Sequence, residues 1–138
     1  MRVLIVDDHP LMRAGIAQLV RQEWPHACID EASTVREALV CIEAARPSLV
    51  TLDLSLPDAR GTDGASRLLA ALGGAPLLVL SLHAEVAYAR RLLQMGAAGY
   101  LAKDRAPEEL RPALRRLAEG GRYVSGAMAQ LLREPTQA

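Results

Sequence analysis

The stretch Val3-Leu4-Ile5-Val6-Asp7-Asp8-His9-Pro10 decides the fold. Four consecutive apolar residues are too few for a buried helix, and the polar residues that follow end the run abruptly. This pattern is typical of a strand that is buried on both faces of a sheet. Pro10 suits the first turn of a helix, because that position needs no backbone N–H donor. A strand that leads directly into a helix predicts the opening unit of an alternating β/α protein.

The same unit recurs along the chain. Short apolar runs closed by polar residues, and one weaker run, predict the remaining strands at 27–32, 49–52, 77–80 and 99–101. Apolar residues at helical spacing predict helices at 11–23, 34–45, 63–72, 85–95 and 107–119. Five repeats indicate an α/β fold with a doubly wound, five-stranded parallel sheet and with helices on both faces.

Local signals support these boundaries. Ser33 or Thr34 can cap the second helix, Gly73 and Gly96 follow the predicted ends of the third and fourth, and Pro107 lies where the fifth should begin. After residue 119 the pattern loosens, and an apolar segment at 124–132 predicts one more short helix. We therefore expect a domain at residues 1–120, followed at 121–138 by the start of a linker or short helix.

Composition limits the function classes. A chain of 138 residues with 51% hydrophobic content can bury one core, and its 16 basic and 16 acidic residues give no net charge with which to coat nucleic acid or an anionic membrane. It shows no charged leader and no apolar stretch near the roughly 18 residues of a membrane span. We expect a cytoplasmic protein without a membrane partner. Cys28 and Cys41 lack a Cys-x-x-Cys spacing, which favours buried free thiols.

Polar residues follow the predicted strands where the strands end. They are Asp7, Asp8, Asp53, Ser81 and Lys103. Because the carboxyl ends of parallel strands share one edge of a sheet, these groups should converge there. Three close carboxylates require a neutralising cation, and Mg²⁺ binds such open oxygen clusters with waters and a phosphate. An aspartate in such a cluster can attack phosphorus as a carboxylate nucleophile.

Several motifs together resemble the receiver domains of two-component response regulators. They are Val3–Pro10, Leu52–Asp58 with Gly61, Val79–His83 and Gly96–Asp104, and the resemblance covers residues 2 to about 120. Asp-His-Pro near the start and Gly-Tyr-Leu-Ala-Lys-Asp near the end are most similar to the NarL/FixJ (LuxR-type) class of transcriptional regulators.

The resemblance implies a flavodoxin-like fold whose five strands lie in the order 2-1-3-4-5. It also implies a role for each matching residue. Asp53 would be the phosphoacceptor. Mg²⁺, or Mn²⁺ in its place, would bind Asp8, Asp53 and the Ser55 backbone carbonyl, with Asp7 acting through a water. Ser81 and Lys103 would hold phosphoryl oxygens, so that Asp53 and Lys103 form the catalytic pair and Ser81 and Tyr100 form the switch.

The resemblance also implies partners. A sensor histidine kinase would phosphorylate the domain, which would then pair with a second copy and control a DNA-binding output. The domain would act as a regulatory switch and not as an enzyme, although it would assist its own phosphorylation and dephosphorylation. A helix-turn-helix domain normally follows in this class, and no room for one exists before residue 138. An expressed fragment and a solitary receiver both remain open.

The same residues argue against three other functions. A dinucleotide enzyme would need Gly-x-Gly-x-x-Gly after the first strand, and a haloacid-dehalogenase-type phosphatase would need an aspartate two residues after Asp53, where Ser55 stands. A phosphorylation-independent receiver would usually lack one of the acidic or lysine residues. His83 either borders the site or lies in a surface loop, and the sequence leaves both positions open. His9 and His26 are expected to lie outside the site. The peptide after Lys103 is left open as cis or trans, because Asp104 stands where other receivers often have proline.

Overall fold

Every strand in the sheet runs parallel to its neighbours, in the order β2-β1-β3-β4-β5-β6. The computed structural model describes residues 1–59, 61–82 and 86–133. The strands are β1 Arg2–Val6, β2 Cys28–Ala32, β3 Leu49–Asp53, β4 Leu77–Ser81, β5 Gly99–Ala102 and β6 Tyr123–Val124. The helices are α1 Pro10–Glu23, α2 Val35–Ala44, α3 Asp63–Leu72, α4 Val86–Met95, α5 Ala106–Ala118 and α6 Gly126–Arg133. The predicted doubly wound α/β fold is confirmed.

The core has two apolar layers, one on each face of the sheet. Alternate residues of a strand point to opposite faces, so Leu4 and Val6 of β1 lie in one layer while Val3 and Ile5 lie in the other. The first layer packs against α2, α3, α4 and α6, and the second against α1 and α5. All residues of β3, β4 and β5 are buried, which explains why these strands are short apolar runs without alternation.

The second helix begins with a capping box. The Glu37 backbone N–H donates to Thr34 Oγ1 at 3.0 Å, while Glu37 Oε2 accepts from the Ser33 N–H at 2.8 Å and from the Ser33 hydroxyl at 3.0 Å. These hydrogen bonds from Ser33 lower the pKa of Glu37. Of the two candidate caps, Thr34 is therefore the N-cap residue, and Ser33 completes the box.

The expectation of five strands was one short. Strand β6 has only two residues and pairs with β5, where Gly99 faces Tyr123 and Tyr100 faces Val124. A two-residue strand has no apolar run or alternation by which a sequence pattern could reveal it. Its fit depends on Gly99, because a Cβ atom there would lie 2.8 Å from the Tyr123 carbonyl oxygen and 2.7 Å from Leu78 Cδ1.

Side-chain contacts also hold the segment after α5 against the rest of the domain. The Tyr123 hydroxyl donates to Glu109 Oε1 at 2.8 Å, and burial together with this hydrogen bond raises the pKa of Tyr123 to about 12. Helix α6 lies beside α4 and buries Met128 in the same apolar layer as Leu92 and Tyr100. The short helix predicted within 124–132 is confirmed, while the predicted domain boundary at residue 120 stays a prediction.

The prediction of buried free thiols is confirmed only in part for the two cysteines. Both thiols are free, but Cys28 is exposed, contrary to the expectation of burial, because β2 is an edge strand with one face only thinly covered. Cys41 is partly buried, and burial raises the pKa of its thiol. In the part of the chain that the structure describes, no helix is both long enough and apolar enough to cross a membrane.

We predict that Met128→Ala lowers the free energy of unfolding by about 2 kcal/mol, the low end for a buried methionine, because a terminal helix can partly relax around the cavity. The exposed Gln130→Ala on the same helix is the matched control and should change it by less than about 0.5 kcal/mol. Urea unfolding followed by circular dichroism measures both. Equal, small effects of the two substitutions would show that α6 is not docked in solution.

Candidate functional site

Five polar residues lie at the carboxyl edge of the sheet because each ends or follows a strand. Asp7 and Asp8 follow β1, Asp53 ends β3, Ser81 ends β4, and Lys103 follows β5 at the start of a 3₁₀ turn. Four of them are strongly buried: Asp7 and Asp53 are 1% exposed, and Ser81 and Lys103 are 9% exposed. Burial of charged residues is rare unless they pair with each other or bind an ion.

Lys103 lies between two of the carboxylates. Its Nζ atom is 3.1 Å from Asp7 Oδ2 and 3.0 Å from Asp53 Oδ2. Neither oxygen receives a well-oriented hydrogen bond, although both distances are those of an ion pair. The ammonium therefore balances charge in the site without saturating the carboxylate oxygens that it approaches.

The other carboxylate oxygens fix the loops that carry them. Asp53 Oδ1 accepts a hydrogen bond from the Ser55 backbone N–H at 2.9 Å, and Asp7 Oδ1 accepts one from the His9 backbone N–H at 2.8 Å. Arg13 holds the loop after β1 from the other side, because its Nη1 donates to the Asp7 carbonyl oxygen at 2.6 Å. No sequence signal singled out Arg13, since its partner is a backbone atom.

His9 is the residue that sequence reasoning left out and the structure brings into the site. Its Nδ1 atom lies 3.1 Å from Asp7 Oδ1, 3.1 Å from Asp8 Oδ1 and 3.9 Å from Asp53 Oδ2. The His9 side chain is 59% exposed, so the ring stands on the solvent side of the carboxylates. Its position directly after the acidic pair was the available signal. His26 is exposed in the turn before β2, and His83 lies outside the described residues.

The site has the donor set of a divalent cation. One ligand atom from each of Asp7, Asp8, His9 and Asp53 can be chosen so that all lie within 4.8 Å of one another. Asp7 Oδ2, Asp8 Oδ1 and Asp53 Oδ2 are buried without a hydrogen-bond partner. Three carboxylates against one ammonium carry a formal charge of −2. Oxygen atoms without donors and a double negative charge fit a hard divalent ion such as Mg²⁺.

The two predicted switch residues lie on neighbouring strands. Ser81 pairs in register with Ala102, two positions beyond the pair formed by Val79 and Tyr100. Tyr100 is 1% exposed and lies in the apolar layer that contains Leu92 and Met128. The Tyr100 side chain therefore faces α4 and α6, while Ser81 stands at the edge that carries the carboxylates. The peptide after Lys103, left open by the sequence, is trans.

The chain matches the response regulator receiver domain model over residues 3–115, and it belongs to that family. It is 33% identical to the response regulator UvrY of Escherichia coli O6:H1 over 128 residues, which are 93% of this chain and 59% of UvrY. It is 35% identical to the transcriptional activator protein ExaE of Pseudomonas putida, covering 96% of this chain and 62% of ExaE. The chain thus spans about three fifths of the length of these relatives.

A solved structure supports the same assignment. The crystal structure of a LuxR-family two-component response regulator from Aurantimonas sp. SI85-9A1 superposes with a TM-score of 0.86 at 31% identity, covering 95% of this chain and 94% of that one. The interpretation of the sequence as a receiver domain of the NarL/FixJ (LuxR-type) class is confirmed.

The loop that contains Ser55 is tied to α2 by Asp58. Its Oδ1 atom accepts a hydrogen bond from the Val35 backbone N–H at 3.0 Å, and its Oδ2 atom accepts one from the Arg36 N–H at 3.1 Å. Burial raises the pKa of Asp58, but these backbone hydrogen bonds outweigh it, and the net pKa is lower than usual. Asp58 thus serves as a second cap of α2 and joins that helix to the loop that contains Ser55.

We predict that Asp58→Asn lowers the free energy of unfolding at pH 7 by less than about 1 kcal/mol, because the carboxylate is mostly exposed. A depressed folded pKa stabilises the protein above the unfolded pKa of about 3.9, and this stabilisation is lost as pH falls through the folded value. The difference between wild type and variant should therefore shrink as pH falls below the unfolded pKa and vanish once the carboxyl group is protonated in both states. Denaturant unfolding at several pH values, with exposed Asp63→Asn as the control, measures it. A gap that persists unchanged at low pH would contradict the role of charge.

Proposed function

We propose that this receiver domain accepts a phosphoryl group on Asp53 from a sensor histidine kinase and thereby controls a DNA-binding output domain that lies outside this chain. The observation that carries the proposal is the buried Asp53 carboxylate, whose Oδ2 atom lies 3.0 Å from Lys103 Nζ beside two further carboxylates. Membership of the receiver family supplies the expectation of phosphoryl transfer.

The transfer is one substitution at phosphorus. A carboxylate oxygen of Asp53 forms the new bond to phosphorus, while the bond from phosphorus to the imidazole nitrogen of the kinase phosphohistidine breaks and its electron pair leaves with that nitrogen. The Lys103 ammonium stabilises the negative charge that develops on a phosphoryl oxygen, and the Ser81 hydroxyl donates to another. Hydrolysis then removes the group: a water oxygen forms a bond to phosphorus, the bond from phosphorus to the Asp53 carboxylate oxygen breaks, and inorganic phosphate leaves. The domain would thus assist both its own phosphorylation and its own dephosphorylation.

A divalent cation, Mg²⁺ or Mn²⁺, would supply neutralisation of phosphoryl charge when bound. Asp8 and Asp53 would hold it through carboxylate oxygens, Ser55 through its backbone carbonyl, and Asp7 through a water. The buried carboxylate oxygens without donors support this assignment. Lys103 and the bound cation would offset the repulsion among the three carboxylates, which leaves a carboxylate oxygen of Asp53 available as the nucleophile.

The partners follow from the class. The whole protein would act in the cytoplasm, without a membrane partner, and phosphorylation would favour pairing of two copies. DNA would be contacted by a helix-turn-helix domain and not by residues 1–138, whose net charge is zero. ExaE carries the description of a transcriptional activator, and this supports an output in transcription. On this proposal residues 1–120 are the receiver and residues 121–138 begin the connection to that output.

We predict that Asp53 is the single phosphoacceptor. Incubation with phosphoramidate and Mg²⁺ should add one phosphoryl group to the wild-type chain, seen by intact mass, and none to Asp53→Asn. Asp104→Asn, an exposed aspartate beside Lys103, is the matched control and should label like wild type. Labelling that persists in Asp53→Asn would falsify the assignment.

We predict that Ser81→Ala separates the chemistry from the switch. The phosphoryl group can shift a conformational equilibrium only through contacts that are better in one state, and the Ser81 hydroxyl offers one charge-assisted hydrogen bond worth about 1.5–3 kcal/mol. The variant should still accept the phosphoryl group but lose most of the response at Tyr100.

The measurement compares wild type and Ser81→Ala at equal phosphoryl occupancy, using amide chemical shifts over residues 86–105 together with sedimentation. Ser48→Ala, a serine near the opposite edge of the sheet whose Oγ accepts from the Arg2 N–H, is the control. If Ser81→Ala shows the full wild-type chemical shift changes and the same change in association state, the coupling between phosphorylation and Tyr100 must run through Lys103 or the loop that contains Ser55.

A further inference from the structure

The imidazole of His9 occupies a position among the carboxylates that hydrogen bonding alone does not explain. Its Nδ1 atom is 3.1 Å from an oxygen of Asp7 and 3.1 Å from an oxygen of Asp8. A ring N–H can point to one acceptor well, and the Asp7 oxygen takes that hydrogen bond. Asp8 Oδ1 is left buried without a partner although the same ring nitrogen is next to it.

The spacing of these atoms matches ligands that share one ion. Neighbouring ligands of an octahedral ion with bonds of about 2.1 Å lie about 3.0 Å apart, and opposite ligands about 4.2 Å apart. The 3.1 Å from His9 Nδ1 to Asp8 Oδ1 is close to the first value, and the 3.9 Å to Asp53 Oδ2 falls between the two. Asp7 Oδ1, also at 3.1 Å, already accepts the His9 backbone N–H and is not counted as a direct ligand. One cation could bind the His9 nitrogen together with Asp8 Oδ1 and Asp53 Oδ2, the two nearby oxygens that have no hydrogen-bond partner, whereas a single N–H proton can serve only one acceptor.

The backbone holds His9 in this place. Its N–H donates to Asp7 Oδ1 at 2.8 Å, and its carbonyl oxygen accepts from the Arg13 N–H at 3.0 Å in the first turn of α1. Pro10 follows at the first helical position and restricts the chain there. The ring therefore needs no loop rearrangement to reach the carboxylates, and it lies on the solvent side from which an ion enters.

We infer that His9 is a nitrogen ligand of the metal in this receiver, taking the place of one water, and that the site consequently prefers transition-metal ions such as Mn²⁺ and Co²⁺ over Mg²⁺. Imidazole binds Co²⁺ well, Mn²⁺ less strongly and Mg²⁺ poorly, because affinity for nitrogen ligands rises along the transition-metal series while the ligands of Mg²⁺ are oxygen atoms. The inference rests on the proposed metal site and adds to it one ligand and a metal preference.

The experiment measures binding and not phosphorylation. Isothermal titration calorimetry with MgCl₂, MnCl₂ and CoCl₂ at about pH 8 compares wild type, His9→Gln and His9→Ala. All chains carry His26→Gln and Cys28→Ser, because these two exposed residues lie close in sequence and could bind Co²⁺ themselves. Both His9 variants should lose about tenfold or more in affinity for Co²⁺, with a smaller loss for Mn²⁺, and less than about twofold for Mg²⁺.

Pulsed electron paramagnetic resonance of bound Mn²⁺ supplies a second readout. Nitrogen coordination gives a ¹⁴N coupling, which should be present in wild type and absent in His9→Ala. Losses that are equal for Mg²⁺ and Co²⁺, or a ¹⁴N coupling that is unchanged in His9→Ala, would overturn the inference.

Asp8→Ala distinguishes this inference from the function on which it rests. If Asp8→Ala weakens all three ions strongly while the His9 variants weaken none selectively, the metal site stands and only the role of His9 fails. If Asp8→Ala binds every ion like wild type, the metal lies elsewhere and both proposals fail.

Discussion

The rest of the site depends on the attraction between the Lys103 ammonium and two carboxylates that the sheet forces together. Asp7 and Asp53 are almost completely buried, and each places an oxygen about 3 Å from Lys103 Nζ. Without the Lys103 ammonium, two buried carboxylates would repel each other with no positive side chain between them. The register of β1, β3 and β5 fixes where the three strands end, and so the hydrophobic packing of the sheet determines the electrostatics of its edge.

Burying these charges lowers the free energy of unfolding, but it also assembles the groups that the proposed chemistry uses. Buried charges are stabilising only when they are paired and fully hydrogen-bonded, and here three carboxylate oxygens have no donor. Proteins commonly break such local rules at functional sites and offset them elsewhere. The offset is visible in the fully buried and mostly apolar strands β3 and β4 and in the backbone donors of Ser55 and His9, which hold the carboxylates in place.

Much of the fold could be predicted because its signals are local. Apolar runs ended by polar residues located β1, β3, β4 and β5, and the parallel topology then brought Asp7, Asp8, Asp53 and Lys103 to one edge. The rest depended on contacts between distant residues or on atoms without a sequence pattern. Strand β6 needs the bare backbone of Gly99, the loop after β1 needs the side chain of Arg13 on a carbonyl oxygen, and the place of His9 needs the turn that Asp7 forms with its N–H. The roles of Ser81 and Tyr100 in a switch stay predictions, because they concern a change between states.

Strand β6 also gives the molecule a mechanical property. It is joined to the sheet by a ladder only two residues long. Two further hydrogen bonds support it: the Tyr123 N–H donates to the Ala98 carbonyl oxygen, and the Tyr123 hydroxyl donates to Glu109. Because β6 runs parallel to β5, a pull directed along the strand loads the ladder bonds in shear once the α6 helix that follows has lost its packing through Met128. Tyr100 is a member of that ladder, so tension and side-chain packing at Tyr100 act on the same few bonds. The resistance of Tyr123–Val124 to detachment therefore depends on its hydrogen bonds to β5, the strand that Lys103 follows.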